Sequence, residues 1–285
     1  MNNKKQFNEE LIPKTSFKPI AAPKNIFGAG IDDVHYLKNN MRFVYEDLMK
    51  IFVASKTPIT LWGSLVSDKT RSIEAMNKIT DENGIPYQVI TTQLSTQNVN
   101  MIHNDISIKE YTERETDIIE SIISSIEQEV WDYYNNKGGL TIIFLEDITT
   151  YTPVQQNAIL KLITHGKYGD IDILPYTTFV MSATFPDMEQ DIQEISESLI
   201  RRSGHIPFVS ETRGYEEKGL TTYKDQVDSF NHINQIELSE RVISERVITE
   251  LSKVYETISE IFKDSPYEIY ELYIKEALRA IAGDK

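Results

Sequence analysis

Apolar positions recur along this chain with two different periods, and each change of period marks a boundary between elements. Val34, Leu37, Met41, Val44, Leu48 and Ile51 or Phe52 follow a helical spacing after the Asp32-Asp33 pair, which predicts one or two helices over about 31–55. Ile59 to Trp62 is a short apolar strand, then a helix runs from Thr70 to about Glu82, closed by Asn83-Gly84. Tyr87 to Thr92 reads as a second strand, and 93–108 is polar and irregular. From Tyr111 to Tyr134, Ile118, Ile119, Ile122, Ile123, Ile126, Val130 and Trp131 fall on one side of a long amphipathic helix. Leu140 to Leu145 and Thr177 to Ala183 are different in kind: continuous apolar runs, too short for typical helices, with the signature of strands buried on both faces. Helices are predicted over Val154–Thr164 and Ile192–Ile200, and a last short strand over His205–Val209. Residues 236–285 are helical by pattern.

Strands alternating with helices imply an α/β fold, a mostly parallel sheet covered on both faces whose ligands bind at the carboxyl ends of the strands. Three parts follow: an extended arm over 1–30, carrying Pro13, Pro19, Pro23 and the Gly28-Ala-Gly30 pair; an α/β core over 31–210; and a small all-helical domain over 211–285. At 285 residues and 40% hydrophobic, the chain can bury one sizeable core and a smaller satellite. The balance of 29 Lys+Arg against 44 Asp+Glu, a net charge of −15, opposes direct attraction to nucleic-acid backbones and to anionic lipid. Cysteine is absent, which excludes disulfides, thiol chemistry and Cys-based zinc sites. No apolar leader opens the sequence and no run approaches the roughly 18 residues of a membrane span. The expectation is a soluble, cytoplasmic protein.

The candidate chemistry begins where the first strand ends. Thr57-Pro-Ile-Thr-Leu-Trp-Gly63-Ser-Leu-Val-Ser-Asp-Lys69-Thr70 places a Gly-x5-Lys-Thr turn between a strand and a helix. A phosphate-binding loop, G-x-x-x-x-G-K-[ST], aims backbone N–H groups at nucleotide phosphates, sets its lysine on the β- and γ-phosphates and offers its hydroxyl to Mg²⁺. Gly63, Lys69 and Thr70 fit that pattern, whereas Asp68 stands in place of the second glycine and Val66 is a further departure. Asp tolerates left-handed backbone angles better than most residues but adds a negative charge beside the phosphates. Glu146-Asp147 closes the third strand, at the same edge of the sheet. Such a pair suits metal coordination by one carboxylate and water activation by the other. It also reads as the plain start of a solvated loop.

Taken together, these motifs resemble those of AAA+ ATPases of the P-loop NTPase class, and the segment from Thr141 through Glu146-Asp147 to Pro153-Val-Gln-Gln-Asn-Ala-Ile-Leu is most similar to the MoxR-like branch and its clamp-loader and dynein-like relatives. In that family the second motif ends in Asp-Glu; the order here is reversed, so the resemblance puts Glu146 on the metal side and Asp147, one methylene shorter, at the water-activating position. Ser182-Ala-Thr-Phe-Pro-Asp187 is similar to the family's Ala-Ala-Thr-Asn-Pro, with Phe185 at the Asn position and Thr184 or Ser182 as possible substitutes. Arg202, at the end of Ile195-Ser-Glu-Ser-Leu-Ile-Arg-Arg, matches the arginine that the family presents to a neighbouring subunit's γ-phosphate. Paired arginines at a helix end equally suit the helix dipole. Leu238-Ser-Glu-Arg241 loosely resembles a Ser-Pro-Arg-Ala motif whose arginine reads the nucleotide from the lid, with Glu240 in place of proline.

The resemblance implies a parallel sheet between helices followed by a helical lid, ATP and Mg²⁺ as cofactors, a homo-oligomeric ring such as a hexamer, or a hetero-oligomer, and a protein client. Two other readings stand beside it. One is a catalytically impaired scaffold or nucleotide switch, supported by Val66, Asp68, Phe185 and the reversed acids; the other is a clamp-loader-like subunit acting at DNA, against which the acidity argues. The five histidines lack metal-type spacing, no serine lies in a Gly-x-Ser-x-Gly elbow, and Tyr267, Tyr270 and Tyr273 form a three-residue stripe that suits either docking or the lid's own core.

Overall fold

The computed structural model describes residues 31–39, 41–63, 69–80, 85–92, 108–167, 171–184, 195–208 and 245–282. The proposed arm 1–30, the polar stretch 93–107, the first part of the proposed helical domain, 211–244, including 236–244 of its helical pattern, and the first residues of the helix expected at Ile192 lie outside them. Two helices, α1 (Ile31–Asn39) and α2 (Met41–Ala54), precede strand β1 (Ile59–Trp62). Then come α3 (Lys69–Glu74), β2 (Gln88–Thr92), α4 (Ile108–Lys137), β3 (Thr141–Leu145), α5 (Pro153–His165), β4 (Thr177–Ala183), the single turn α6 (Glu197–Ile200) and β5 (Gly204–Pro207). The chain closes with α7 (Glu245–Ile261) and α8 (Tyr267–Ala282).

All four strand pairings are parallel, in the order β2-β3-β4-β1-β5. The sheet alternates sides residue by residue, as the pleat requires. Ile59, Leu61, Ile142, Phe144, Val180 and Ile206 join one core cluster with α1, α2, Ile73 of α3, α7 and α8. Trp62, Ile143, Leu145, Phe179, Met181 and Ala183 join the other, with α4, α5 and α6. Both faces of β3 and β4 are therefore dry, which explains their unbroken apolar sequence. The result is the expected α/β architecture, a five-stranded parallel sheet between two layers of helices, followed by a helical pair.

Chain direction explains which helix lies where. The steps β2 to β3, β3 to β4 and β4 to β5 all travel one way across the sheet, whereas β1 to β2 travels back to the far edge. Right-handed crossovers then force the helix after β1 onto the opposite face from the rest, where α3 is found. That helix is shorter than its sequence predicts. A 3₁₀ turn, Ala75–Lys78, replaces its second half and Ile79 turns extended, so that Thr80 pairs with Pro86 and Asn77 Oδ1 accepts from Val89 N at 3.0 Å. β-branched Ile79 and Thr80 favour this extended exit over another helical turn.

The helical pair does not stand apart from the sheet: Val254, Ile258, Ile269 and Tyr273 belong to the same cluster as Leu48, Ile51 and Phe144. One polar tie crosses that packing. Tyr273 Oη donates to Oδ2 of fully buried Asp47 at 2.8 Å, and Lys50 Nζ lies 3.7 Å from Asp47 Oδ1. The tyrosine stripe is thus divided: Tyr273 serves the core, Tyr270 meets the rings of Tyr255 and Tyr267, and Tyr267 is exposed. Beside Tyr255, an apolar groove of about 600 Å³ runs between α7 and α8, lined by Ile248, Leu251, Ile274 and Leu278 among others.

Burial, then the adjacent Asp47 carboxylate and its hydrogen bond, hold the Tyr273 phenol well above its ordinary ionisation range. A raised value in the folded state means that the neutral phenol's contribution is complete below the unfolded value near 10 and is lost as pH rises through the folded one. Wild-type stability, read by urea unfolding, is accordingly expected to fall above about pH 10 more steeply than that of Tyr273→Phe. At pH 8 the variant is expected to be less stable by about 1–3 kcal/mol, because Asp47 loses a donor inside the core. Equal alkaline slopes would contradict this.

Candidate functional site

The strand exits diverge at one place. The chain leaving β1 crosses to the β2 edge, while the chain leaving its neighbour β4 passes over β1 to β5. That divergence makes a topological switch point at the carboxyl ends of β1 and β4, the place where open parallel sheets bind ligands. Lys69, Thr70, Glu146, Asp147, Ser182 and Thr184 all follow the carboxyl ends of β1, β3 or β4, or end β4 itself.

Lys69 is buried, and its ammonium donates to Gly63 O at 2.9 Å and to Ala183 O at 3.4 Å. Gly63 N in turn donates to Ala183 O at 3.1 Å. The lysine therefore lies at the carboxyl ends of β1 and β4, bridging the carbonyl just past β1 and the last carbonyl of β4. Loop residues 64–68, Asp68 included, lie outside the described residues.

Thr70, one position into α3, donates its hydroxyl to Glu146 Oε1 at 2.8 Å across a sequence separation of 76. Glu146 is held at the strand end by its own N–H, which donates to Thr92 O at 3.0 Å. Two hard oxygen donors thus converge beside the lysine. The set suits Mg²⁺, which takes one or two protein oxygens and fills its octahedron with phosphate and water oxygens. Among the described residues no group of three or more His, Cys, Asp or Glu converges, so a closed all-protein metal cage is not the pattern here.

Asp147 follows in a left-handed conformation, φ 47° and ψ 63°, which short Asp tolerates better than most side chains. A ring of hydroxyls holds it there. Its N–H donates to Ser182 Oγ at 2.8 Å, and its carbonyl accepts from Thr150 N at 3.0 Å and Thr150 Oγ1 at 2.8 Å. Its Oδ1 accepts from Thr149 Oγ1 at 2.5 Å and from Thr184 Oγ1 at 3.3 Å. The next helix is fixed by a capping box, in which Thr152 accepts from Gln155 N while Gln155 Oε1 accepts from Thr152 N, with Pro153 at its first position.

Arg202 is elsewhere. It precedes β5, whose first residue donates to Pro58 O at the start of β1, so it stands at the amino edge of the sheet. A four-residue strand spans about 13 Å, which puts Arg202 across the sheet from Lys69. Phe185 and Arg241 lie outside the described residues. Between the two edges runs a buried relay: Trp62 Nε1 donates to His205 Nδ1 at 2.8 Å, and the other ring nitrogen lies 2.9 Å from Ile200 O, which fixes the tautomer as a neutral Nε2–H. His205 thereby has the structural role its spacing implied. No sequence motif marks Thr149 or this relay; the signal available was a run of hydroxyl residues, Thr149-Thr150, just after the paired acids.

No family model matches the chain, and no curated protein matches it. Among solved structures it is similar to a candidate ATPase from Cytophaga hutchinsonii, at 14% identity over 87% of both chains and a TM-score of 0.42. That likeness is too distant to carry an activity across. No helix among the described residues is long and apolar enough to cross a membrane.

Proposed function

We propose that this chain is a member of the AAA+ ATPases, close to the MoxR-like branch, that binds ATP and Mg²⁺ at the carboxyl edge of its sheet and works as an oligomeric ring on a protein partner in the cytoplasm. The observation that carries the reading is the Thr70–Glu146 hydrogen bond beside buried Lys69. Residues from two motifs far apart in sequence supply, at one edge of the sheet, a cation for phosphate oxygens and two oxygens for a hard metal.

Lys69 would hold the terminal phosphates and Thr70 with Glu146 the metal, which when bound supplies charge neutralisation on the phosphate oxygens. Asp147 accepts the proton of the attacking water. Arg202, out of reach of its own Lys69, suits a role toward a neighbouring subunit's nucleotide, which supports the ring. A nucleotide switch is the second reading, favoured by one observation: the acid in the water-activating position is Asp147, one methylene shorter than the Glu of the resembled motif.

The test is ATP binding and hydrolysis by the purified chain with and without Mg²⁺, its mass recorded with nucleotide present. Magnesium-dependent turnover with a rise in mass is the expected result. Binding without turnover would establish the switch, DNA-stimulated turnover a clamp-loader-like role, and neither binding nor turnover would sink the proposal.

A further inference from the structure

We propose that Thr149 and Thr184 are positioning residues that clamp one carboxylate oxygen of Asp147, and that turnover at this site depends on the clamp; the inference rests on the ATPase reading above. Asp147 is one methylene shorter than the Glu of the resembled motif, and a short side chain can serve only if the backbone and its surroundings aim it. Both are present. The left-handed backbone at Asp147 turns its side chain back over the following 3₁₀ turn, Ile148–Thr150, where Thr149 Oγ1 meets Oδ1 at 2.5 Å. From the other side, Thr184, just past the end of β4, reaches the same oxygen at 3.3 Å.

The clamp's own geometry is set as well. Thr184 N donates to Thr149 Oγ1 at 3.5 Å, so a lone pair of that hydroxyl is used and its proton is directed at the carboxylate. Thr149 and Thr184 are both almost wholly buried, which excludes water as a competing partner for either hydroxyl. Ser182, accepting from Asp147 N, ties the same residue to the end of β4. Four hydroxyls, those of Thr149, Thr150, Ser182 and Thr184, therefore converge on one residue, two of them on its carboxylate, and the clamp occupies Oδ1 while leaving Oδ2 outside it. Rotation that would swing the carboxylate off its line breaks two hydrogen bonds at once. A misplacement of about 1 Å in a reacting group lowers rates by about 10²-fold.

The test is steady-state hydrolysis of Mg·ATP by the full chain and by Thr149→Val, Thr149→Ser, Thr184→Val, Asp147→Asn and the double variant Thr149→Val/Asp147→Asn. Thr149→Val is expected to lower kcat about 10- to 100-fold with KM within about twofold, since the lost contact touches the acid and not the nucleotide. Thr149→Ser restores the hydroxyl and is expected to recover most of the rate. In the Asp147→Asn background Thr149→Val is expected to do nothing further, a non-additivity that mere destabilisation of the turn would not produce. Should Thr149→Val fail to fold, Thr184→Val reads the same clamp from the strand side. Loss of rate in Asp147→Asn with wild-type kcat in both valine variants overturns the clamp alone. Absence of turnover in the wild-type chain overturns the reading of the site, and the clamp with it.

Discussion

Lys69→Ala is expected to lower kcat/KM for Mg·ATP hydrolysis by about 10³-fold, equivalent to about 4 kcal/mol of lost transition-state stabilisation. The size follows from position. Lys69 is the charged donor at the carboxyl ends of β1 and β4, and its burial leaves little water to screen what it does there. Its partners include two backbone carbonyls, Gly63 O and Ala183 O, neither of which carries a formal charge. A phosphate oxygen outcompetes both, because a hydrogen bond between ions is roughly twice as strong as one to a neutral acceptor. The lysine is thus poised to exchange partners without leaving its place. The change in folding stability is expected to be small beside the kinetic effect, about 1 kcal/mol, since the carbonyls it leaves also belong to the β1–β4 edge, where Gly63 N already donates to Ala183 O. Kinetics of the purified variant beside its urea unfolding curve separate the two effects. Turnover within tenfold of wild type would remove Lys69 from the site.

What the sequence could show and what it could not divides along physical lines. β3 and β4 were legible because burial on both faces excludes charged residues and leaves only small hydroxyls among the apolar ones: Leu140 to Leu145 and Thr177 to Ala183 bracket the observed strands to within a residue. Lys69, Thr70 and Glu146 could be singled out because each follows a strand end, and the structure joins Thr70 to Glu146 and sets Lys69 over Gly63 O and Ala183 O, while their phosphate and metal chemistry belongs to the proposal. Arg202 was legible only as a motif, and its place at the opposite edge follows from the parallel course of β5. The α3 boundary was misjudged because local propensity gave way to the pairing of Thr80 with Pro86 and of Asn77 with Val89. Asp47 was a missed signal: it lies between Val44 and Leu48 on the apolar stripe of α2, which announces a buried carboxylate in need of partners. The partner, Tyr273, is 226 residues away, and no local pattern could name it. The clamp on Asp147 was hidden for the same reason, since Thr149 and Thr184 meet only once β3 and β4 are side by side.

Phe144→Ala is expected to destabilise the protein by about 3–5 kcal/mol, a large share of the roughly 5–15 kcal/mol that holds a typical domain together. Phe144 is fully buried on β3, which pairs with β2 on one side and β4 on the other, so its backbone cannot shift to close the space a phenyl ring leaves. Its face of the sheet is the one shared with α2 and with the helical pair α7 and α8. The truncation therefore opens a void in the cluster that joins the pair to the sheet, and its effect should reach both. Urea unfolding followed by far-ultraviolet circular dichroism and by tryptophan fluorescence reads this directly, because Trp62 and Trp131 both belong to the other face of the sheet while α7 and α8 contribute only helix signal. The two probes are expected to give one coincident transition in wild type, and one in Phe144→Ala at lower urea, with Phe144→Leu between them because it refills most of the volume. A part of the helical amplitude that stayed in place, of the size expected for α7 and α8, while the fluorescence transition moved would mean that the pair holds together without the sheet. The shared cluster argues the reverse: the pair depends on the same buried ring that the central strands depend on.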